Sequence, residues 1–241
     1  MMKKIPVLEV FGPTIQGEGM VIGQKTMFVR TAGCDYSCAW CDSAFTWDGS
    51  AKEDIMLMTA EDIWNRLLEA GGDRFSHVTI SGGNPALLAS LKELIDMLKE
   101  NGIESALETQ GSRWQDWFYD ISDLTISPKP PSSGMKTDFE KLDEIVDRLS
   151  ENRSQFSLKV VVFDDLDLEY ATRIHHRYPG VPFYIQTGNP AVAEGDTAKL
   201  VSDLLLDYET LIDKVCERKD LNHVRVLPQL HTLVWGNKRG V

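Results

Sequence analysis

The chain carries three closely spaced cysteines, Cys34, Cys38 and Cys41, in a C-x3-C-x2-C pattern. Clustered cysteines of this kind hold metal ions or iron–sulfur clusters. A structural zinc ion takes four ligands, and a [4Fe-4S] cluster is normally held by four thiolates. The next Cys or His after Cys41 is His77, so no fourth ligand lies nearby in the sequence. Three thiolates on a cluster would leave one iron open, which is typical of a catalytic site.

Two structural alternatives remain for these cysteines. They could be buried apolar side chains, or they could hold a structural zinc ion completed by a distant histidine. Three cysteines this close together, directly after Gly33, favour metal chemistry over packing alone. The remaining cysteine, Cys216, falls in a predicted helix and is expected to be a structural or free thiol.

The cysteine pattern resembles the signature of the radical S-adenosylmethionine (SAM) superfamily, in which the amino and carboxylate groups of SAM chelate the open iron. Over nearly the whole chain, the sequence is similar to one family within it, the 7-carboxy-7-deazaguanine synthases. The motifs that carry this similarity include residues 16–19, Arg30, the triplet with Asp42-Ser43, and residues 81–85, 108–111, 127–129, Gln186 and 227–231.

The resemblance implies a carbon–nitrogen lyase of the queuosine and 7-deazapurine pathway. Such an enzyme converts 6-carboxy-5,6,7,8-tetrahydropterin to 7-carboxy-7-deazaguanine with release of ammonia. The reduced cluster would cleave SAM to a 5′-deoxyadenosyl radical, which takes a hydrogen from C6 of the pterin, so no catalytic residue is needed beyond the cluster and SAM. A glycyl-radical-activating enzyme, which shares the cysteine spacing, is the nearest alternative.

The resemblance also implies roles for individual residues. The cluster ligands would be Cys34, Cys38 and Cys41. The SAM pocket would comprise Trp40, Cys41, Asp42, Gly83, Ser127, Pro128, Lys129 and Gln186. Substrate contacts would come from Ile15, Gln16, Gly17, Glu18, Arg30, Ser81 and His231. Related enzymes use a threonine at the position of Ser43 as a ligand to Mg2+, and serine offers the same hydroxyl.

For several of these residues an ordinary structural role stays open. Arg30 suits a substrate carboxylate because its planar guanidinium forms two parallel hydrogen bonds, but it could instead form a salt bridge. His231 could be a core histidine, and Lys129 an exposed lysine of the proline-rich segment 128–134, which is predicted to be a flexible lid or cap. The loop at residues 16–19 could be a plain hairpin connection.

Strand and helix patterns alternate along the chain and must position these residues. The predicted strands cover residues 7–11, 26–31, 75–81, 103–108, 124–127, 157–163, 181–186 and 223–227. The predicted helices run from Thr59 to the Gly71-Gly72 pair and over residues 87–98, 138–149, 165–178 and 196–218. About six parallel strands with intervening helices predict an α/β fold, a partial (βα)6-type barrel, with its site at the carboxyl ends of the strands.

At 241 residues, the chain is expected to form one domain, residues 1–241. Its net charge of -12 disfavours a nucleic-acid-binding module with a structural metal site. Pro6 and Glu9 interrupt any apolar signal region and no run could span a membrane, so a cytoplasmic location is expected. The resemblance further implies a homodimer, a flavodoxin-type electron donor and a small-molecule pterin substrate.

Overall fold

The structure is a computed structural model that describes residues 3–241, so Met1 and Met2 of the predicted domain lie outside it. The described residues form nine strands, β1 Ile5–Ile15, β2 Lys25–Thr31, β3 Met56–Met58, β4 His77–Gly82, β5 Glu104–Thr109, β6 Asp123–Ile126, β7 Phe156–Val162, β8 Phe183–Thr187 and β9 Val224–Leu227. They make one sheet in the order β3-β1-β2-β4-β5-β6-β7-β8-β9.

Strands β2 and β4 to β9 are parallel to one another, whereas β1 pairs antiparallel with both β2 and β3. The two edge strands, β3 and β9, do not pair with each other in the described part of the chain, so the sheet stays open. The predicted α/β fold and partial barrel are confirmed, with seven parallel strands instead of about six.

Five of the six described helices cover the outer face of the sheet, and the short last helix lies at the carboxyl ends of the strands. The helices are α1 Ala60–Gly71, α2 Leu91–Glu100, α3 Phe139–Glu151, α4 Asp165–Arg177, α5 Thr197–Cys216 and α6 Leu230–Trp235. Helix α1 begins at Thr59, which forms a capping box with Asp62. Asp138 caps α3 and Asp164 caps α4, each through a single side-chain oxygen that accepts a backbone amide hydrogen bond.

The core lies between these helices and the sheet. Leu158, Val160 and Val162 of β7 belong to it, together with the apolar faces of the helices. The alternate residues Lys159 and Val161 line a cavity on the inner face of the open barrel. Burial of the outer face therefore fixes which side chains β7 presents inward.

One local prediction was wrong, and two short elements were missed. Residues 87 and 88 were predicted to begin the second helix, but a 3-10 turn, Pro85–Leu87, precedes α2, which begins at Leu91. Asn84 caps this turn by accepting a hydrogen bond from the Ala86 amide at 3.2 Å. Strand β3 and helix α6 were not predicted.

Among residues 3–241, the helices are too short or too polar to cross a membrane.

Candidate active site

A cavity of about 300 Å³ opens at the carboxyl ends of the parallel strands. The cysteine loop lines one part of it, the loop after β1 lines another, and residues of the C-terminal segment such as Gly236 and Val241 complete the wall. Ligands of α/β barrels and open α/β sheets bind at this edge of the parallel strands. The cavity is therefore the candidate active site.

The thiols of Cys34, Cys38 and Cys41 line this cavity, and none of them forms a disulfide. Cys34 Sγ accepts a hydrogen bond from the Tyr36 amide at 3.4 Å, and Cys41 Sγ accepts one from Trp47 Nε1 at 3.4 Å. Burial raises the pKa of all three thiols, to about 11 for Cys38. The free thiols are therefore protonated at neutral pH, and a bound metal would have to displace their protons.

Two glycines let the end of β4 lie directly against the start of the cysteine loop. A Cβ atom on Gly83 would lie 2.1 Å from the Gly33 carbonyl oxygen, and one on Gly82 would lie 2.1 Å from the Thr31 carbonyl oxygen. The Asn84 amide donates a hydrogen bond to the same Gly33 carbonyl at 2.8 Å. This turn accepts no side chain, because the opposing atoms belong to the backbone.

A polar network, buried at Asn84, Thr109 and Gln110, holds the cysteine loop on the ends of β4 and β5. Asp35 accepts hydrogen bonds from Asn84 Nδ2 at 2.9 Å and from Gln110 Nε2 at 2.6 Å. Thr109 Oγ1 donates to Asn84 Oδ1 at 2.8 Å. The network fixes the loop independently of any bound group.

The proline-rich segment 128–134 packs against the other side of the cysteine loop. The Ala39 amide donates to the Ser133 carbonyl at 3.0 Å, and Trp40 Nε1 donates to Ser132 Oγ at 2.9 Å. The segment therefore packs directly against the cysteine loop.

The residues assigned to SAM by resemblance fall into two groups. Those that line the cavity are Trp40, Cys41, Asp42, Gly83 and Lys129. Ser127, Pro128 and Gln186 are not among the lining residues, although Lys129 Nζ donates a hydrogen bond to Ser127 Oγ at 3.2 Å. Gln186 is fully buried, and both polar atoms of its side chain lack a hydrogen-bond partner in the described chain. It pairs in register with Val161, whose side chain lines the cavity, so its amide lies on the inner face.

All the residues assigned to the substrate line the cavity, namely Ile15, Gln16, Gly17, Glu18, Arg30, Ser81 and His231. Gln16 Oε1 accepts hydrogen bonds from the amides of Gly17 at 2.7 Å and Glu18 at 3.2 Å, which fixes this loop. The Leu230 amide donates to the Gly17 carbonyl at 3.0 Å, so α6 begins directly on the loop. A Cβ atom on Gly17 would lie 2.4 Å from His231 Nδ1.

Arg30 already has an acidic partner in the structure. Its Nε donates to Glu9 Oε2 at 2.7 Å and its Nη1 to Ser43 Oγ at 3.1 Å, while the other oxygen of Glu9 accepts from Arg239. The guanidinium carbon lies 5.6 Å from the ring centroid of Phe45. The salt bridge considered as an alternative for Arg30 therefore exists, and the guanidinium lines the cavity as well.

Asp42, directly after the cysteine triplet, lies close to two residues assigned to the substrate, Glu18 and His231. Carboxylate oxygens of Glu18 and Asp42 and a ring nitrogen of His231 lie within 4.8 Å of one another. Ser43 Oγ donates to Asp42 Oδ1 at 2.9 Å. A ligand bound beside the cysteines would therefore lie close to Glu18 and His231.

Sequence reasoning missed the most deeply buried charge of the cavity. Lys159 of β7 is 1% exposed, and its Nζ donates to Glu18 Oε2 at 2.6 Å and to Glu108 Oε2 at 2.8 Å. Burial lowers the pKa of Lys159, but the charges of Glu108 and Glu18 outweigh it and raise this pKa above its usual value. The available signal was a lysine inside a mostly apolar strand, because a buried lysine needs partners.

Comparison with known proteins gives consistent results. Residues 28–179 match the family model of the Radical SAM superfamily. The chain is 65% identical over 240 residues to the 7-carboxy-7-deazaguanine synthase of Bacillus cereus, and 68% identical over 243 residues to that of Bacillus subtilis, with 100% of each chain covered. The fold is similar to the crystal structure of QueE from Escherichia coli, with a TM-score of 0.65 and 23% identity over 95% of both chains.

Proposed function

The chain belongs to the radical SAM superfamily and, within it, to the 7-carboxy-7-deazaguanine synthases, and we propose that it makes 7-carboxy-7-deazaguanine from 6-carboxy-5,6,7,8-tetrahydropterin with release of ammonia. The observation that carries this proposal is the presence of three free cysteine thiols in the cavity that also contains the residues assigned to the substrate. The reaction would make the protein a carbon–nitrogen lyase that supplies queuosine or another 7-deazapurine.

The residues present fit the cofactors of this superfamily. Cys34, Cys38 and Cys41 would hold a [4Fe-4S] cluster, and their number leaves one iron for SAM. Two buried polar groups without partners in the described chain, Ser81 Oγ and the Gln186 amide, offer hydrogen bonds to a polar ligand. When bound, the reduced cluster and SAM supply reductive cleavage of SAM and the abstraction of a substrate hydrogen.

The chain's own residues would bind, orient and enclose these groups. Trp40 and Lys129 lie on the SAM side, with Lys129 Nζ 6.0 Å from the Trp40 ring centroid. Arg30 would bind the pterin carboxylate beside Glu9, and the loop around Gly17 would hold the ring system. Enclosure by the C-terminal segment would exclude water from the reacting atoms.

A magnesium ion at Ser43 is the finer part of the proposal. Ser43 Oγ and the adjacent Asp42 carboxylate provide two oxygen donors at the cavity, and Mg2+ prefers oxygen ligands from protein, substrate and water. Arg30 Nη1 now donates to the same hydroxyl, so an ion there would have to displace this contact.

Further expectations from the family belong to the same proposal. The chain would form a single domain, act in the cytoplasm as a homodimer, and receive electrons from a flavodoxin-type donor. The negative net charge of -12 agrees with a small-molecule substrate rather than a nucleic acid.

The function is tested with anaerobically purified protein, reconstituted with iron and sulfide and incubated with SAM, dithionite and the pterin. We expect 7-carboxy-7-deazaguanine and ammonia in equal amounts, detected by mass spectrometry and a coupled ammonia assay. SAM cleavage without this product, together with a glycyl radical formed on a partner protein, would instead support the alternative function, a glycyl-radical-activating enzyme.

A further inference from the structure

One end of the cavity is rich in hydrogen-bond acceptors. Glu18 from the loop after β1, Glu108 from β5 and Gln229 from the turn after β9 all line it. Gln229 is 9% exposed, and its Oε1 has no hydrogen-bond partner in the described chain. Glu108 accepts the hydrogen bond from Lys159 through Oε2, and its Oε1 accepts none from the described residues.

Lys159 connects these acceptors. Its ammonium group lies between the two carboxylates, and Gln229 Nε2 donates to the second oxygen of Glu18 at 2.8 Å. The group of two carboxylates and one ammonium carries a net charge of -1 when all three are ionised. Burial raises the pKa of Glu18, but the charges of Lys159 and then His231, with hydrogen bonds from Lys159 and Gln229, outweigh this and lower it, so the carboxylate stays ionised.

We propose that Lys159 is a positioning residue that holds the carboxylates of Glu18 and Glu108 as paired acceptors for the adjacent amino and ring N–H donors of a 2-amino-4-oxopyrimidine ring. This inference rests on the proposed function, since the pyrimidine half of a pterin presents that donor edge. An ionised carboxylate binds two neighbouring N–H groups through parallel, charge-assisted hydrogen bonds. Without the lysine, the two carboxylates would repel each other and turn apart.

Two ligands that differ only in the group at position 2 distinguish the positioning role of Lys159 from a purely structural one. Replacing the 2-amino group by a 2-oxo group sets an oxygen acceptor against the carboxylate oxygens, which costs affinity through repulsion and an unpaired buried group. A residue that only stabilises the fold would affect both ligands equally. The ratio of the two affinities therefore reports on acceptor positioning.

The experiment measures binding of 6-carboxypterin and 6-carboxylumazine, which differ only in the 2-amino or 2-oxo group. The anaerobic, cluster-loaded protein is titrated with each ligand in the presence of SAM and without reductant, and tryptophan fluorescence reports binding. We expect the wild type to prefer 6-carboxypterin by at least about tenfold. Lys159→Met should reduce this preference to about twofold or less, whereas Lys159→Arg should keep most of it, and SAM binding should be unchanged in both.

Lys141→Met serves as the matched control, because this partly exposed lysine pairs with Glu144 on α3, away from the cavity. If Lys159→Met does not fold, Lys159→Met/Glu108→Gln removes one charge of each sign and must likewise lose the preference. A wild-type preference in either folded variant, or equal weakening of both pterins and SAM, would overturn the positioning role. If the wild type makes 7-carboxy-7-deazaguanine, either of these results refutes only the positioning role of Lys159. If the wild type makes no such product, the proposed function itself is refuted.

Discussion

The assignment of Arg30 to the substrate carboxylate can be tested by Arg30→Lys, which keeps the positive charge but removes the planar pair of donors. In the structure, Arg30 is 18% exposed and shares Glu9 with Arg239, so Glu9 would retain a cationic partner in the variant. The loss should therefore fall below the roughly 3–5 kcal/mol of a fully buried charge left unpaired. One charge-assisted hydrogen bond is worth about 1.5–3 kcal/mol, which predicts about 10- to 150-fold weaker binding of 6-carboxypterin.

The assay compares 6-carboxypterin with pterin, which lacks the carboxylate, by fluorescence titration of the cluster-loaded protein. We expect the variant to lose affinity for the first ligand only, with iron content and SAM affinity unchanged. Arg177→Lys is the matched control, because this exposed arginine pairs with Asp143 on the helical face. Equal weakening of both ligands and SAM would mean that Arg30 supports the fold beside the cluster, and wild-type affinity would exclude the carboxylate contact.

Three further predictions concern the cluster loop. Replacement of Cys34, Cys38 or Cys41 by Ala should abolish iron binding and SAM cleavage, whereas Cys216→Ala, at an exposed position of α5, should leave both intact; equal iron loss in Cys216→Ala would contradict three-thiolate ligation. Ser43→Ala should keep SAM cleavage but lose most of the stimulation of turnover by Mg2+, whereas Ser43→Thr, which keeps a hydroxyl, should retain this stimulation. An unchanged magnesium titration of Ser43→Ala would argue against an ion at this hydroxyl. Gly83→Ala should lower the free energy of unfolding by about 1–3 kcal/mol and impair cluster loading, because its Cβ would lie 2.1 Å from the Gly33 carbonyl oxygen; wild-type denaturation and iron content would refute this packing constraint.

The strands that carry the site were predictable because each is a short apolar run between turn residues. Thr59 and Asp138 marked helix starts, and the structure places both at N-caps. Strand β3 was missed because three residues at a sheet edge are too few to show alternation. Helix α6 has only six residues and no side-chain N-cap, so its formation depends on the contact of Leu230 with Gly17, which a local pattern does not reveal.

Site residues that are close together in sequence were predicted, whereas contacts between distant parts of the chain were not. The cysteine triplet is local and was visible at once. The partners of Lys159 lie 141 and 51 residues away in sequence, at Glu18 and Glu108, so only the assembled sheet brings them together. Glu9 faces Arg30 across the β1–β2 pair, but a register shift between Val7 and Glu9 hides this pairing from a simple strand alignment.

In the proposed reaction, the 5′-deoxyadenosyl radical takes a hydrogen from C6 of the pterin, and return of hydrogen to the product radical regenerates SAM. The most direct measurement uses 6-carboxy-5,6,7,8-tetrahydropterin deuterated at C6, incubated with the reconstituted protein, SAM and reductant, followed by mass spectrometry of the recovered SAM and product. We expect 7-carboxy-7-deazaguanine together with deuterium in the recovered SAM, and neither signal in Cys38→Ala. Cleavage of SAM that leaves the pterin unchanged, with no deuterium in SAM or its fragments, would contradict the proposed reaction.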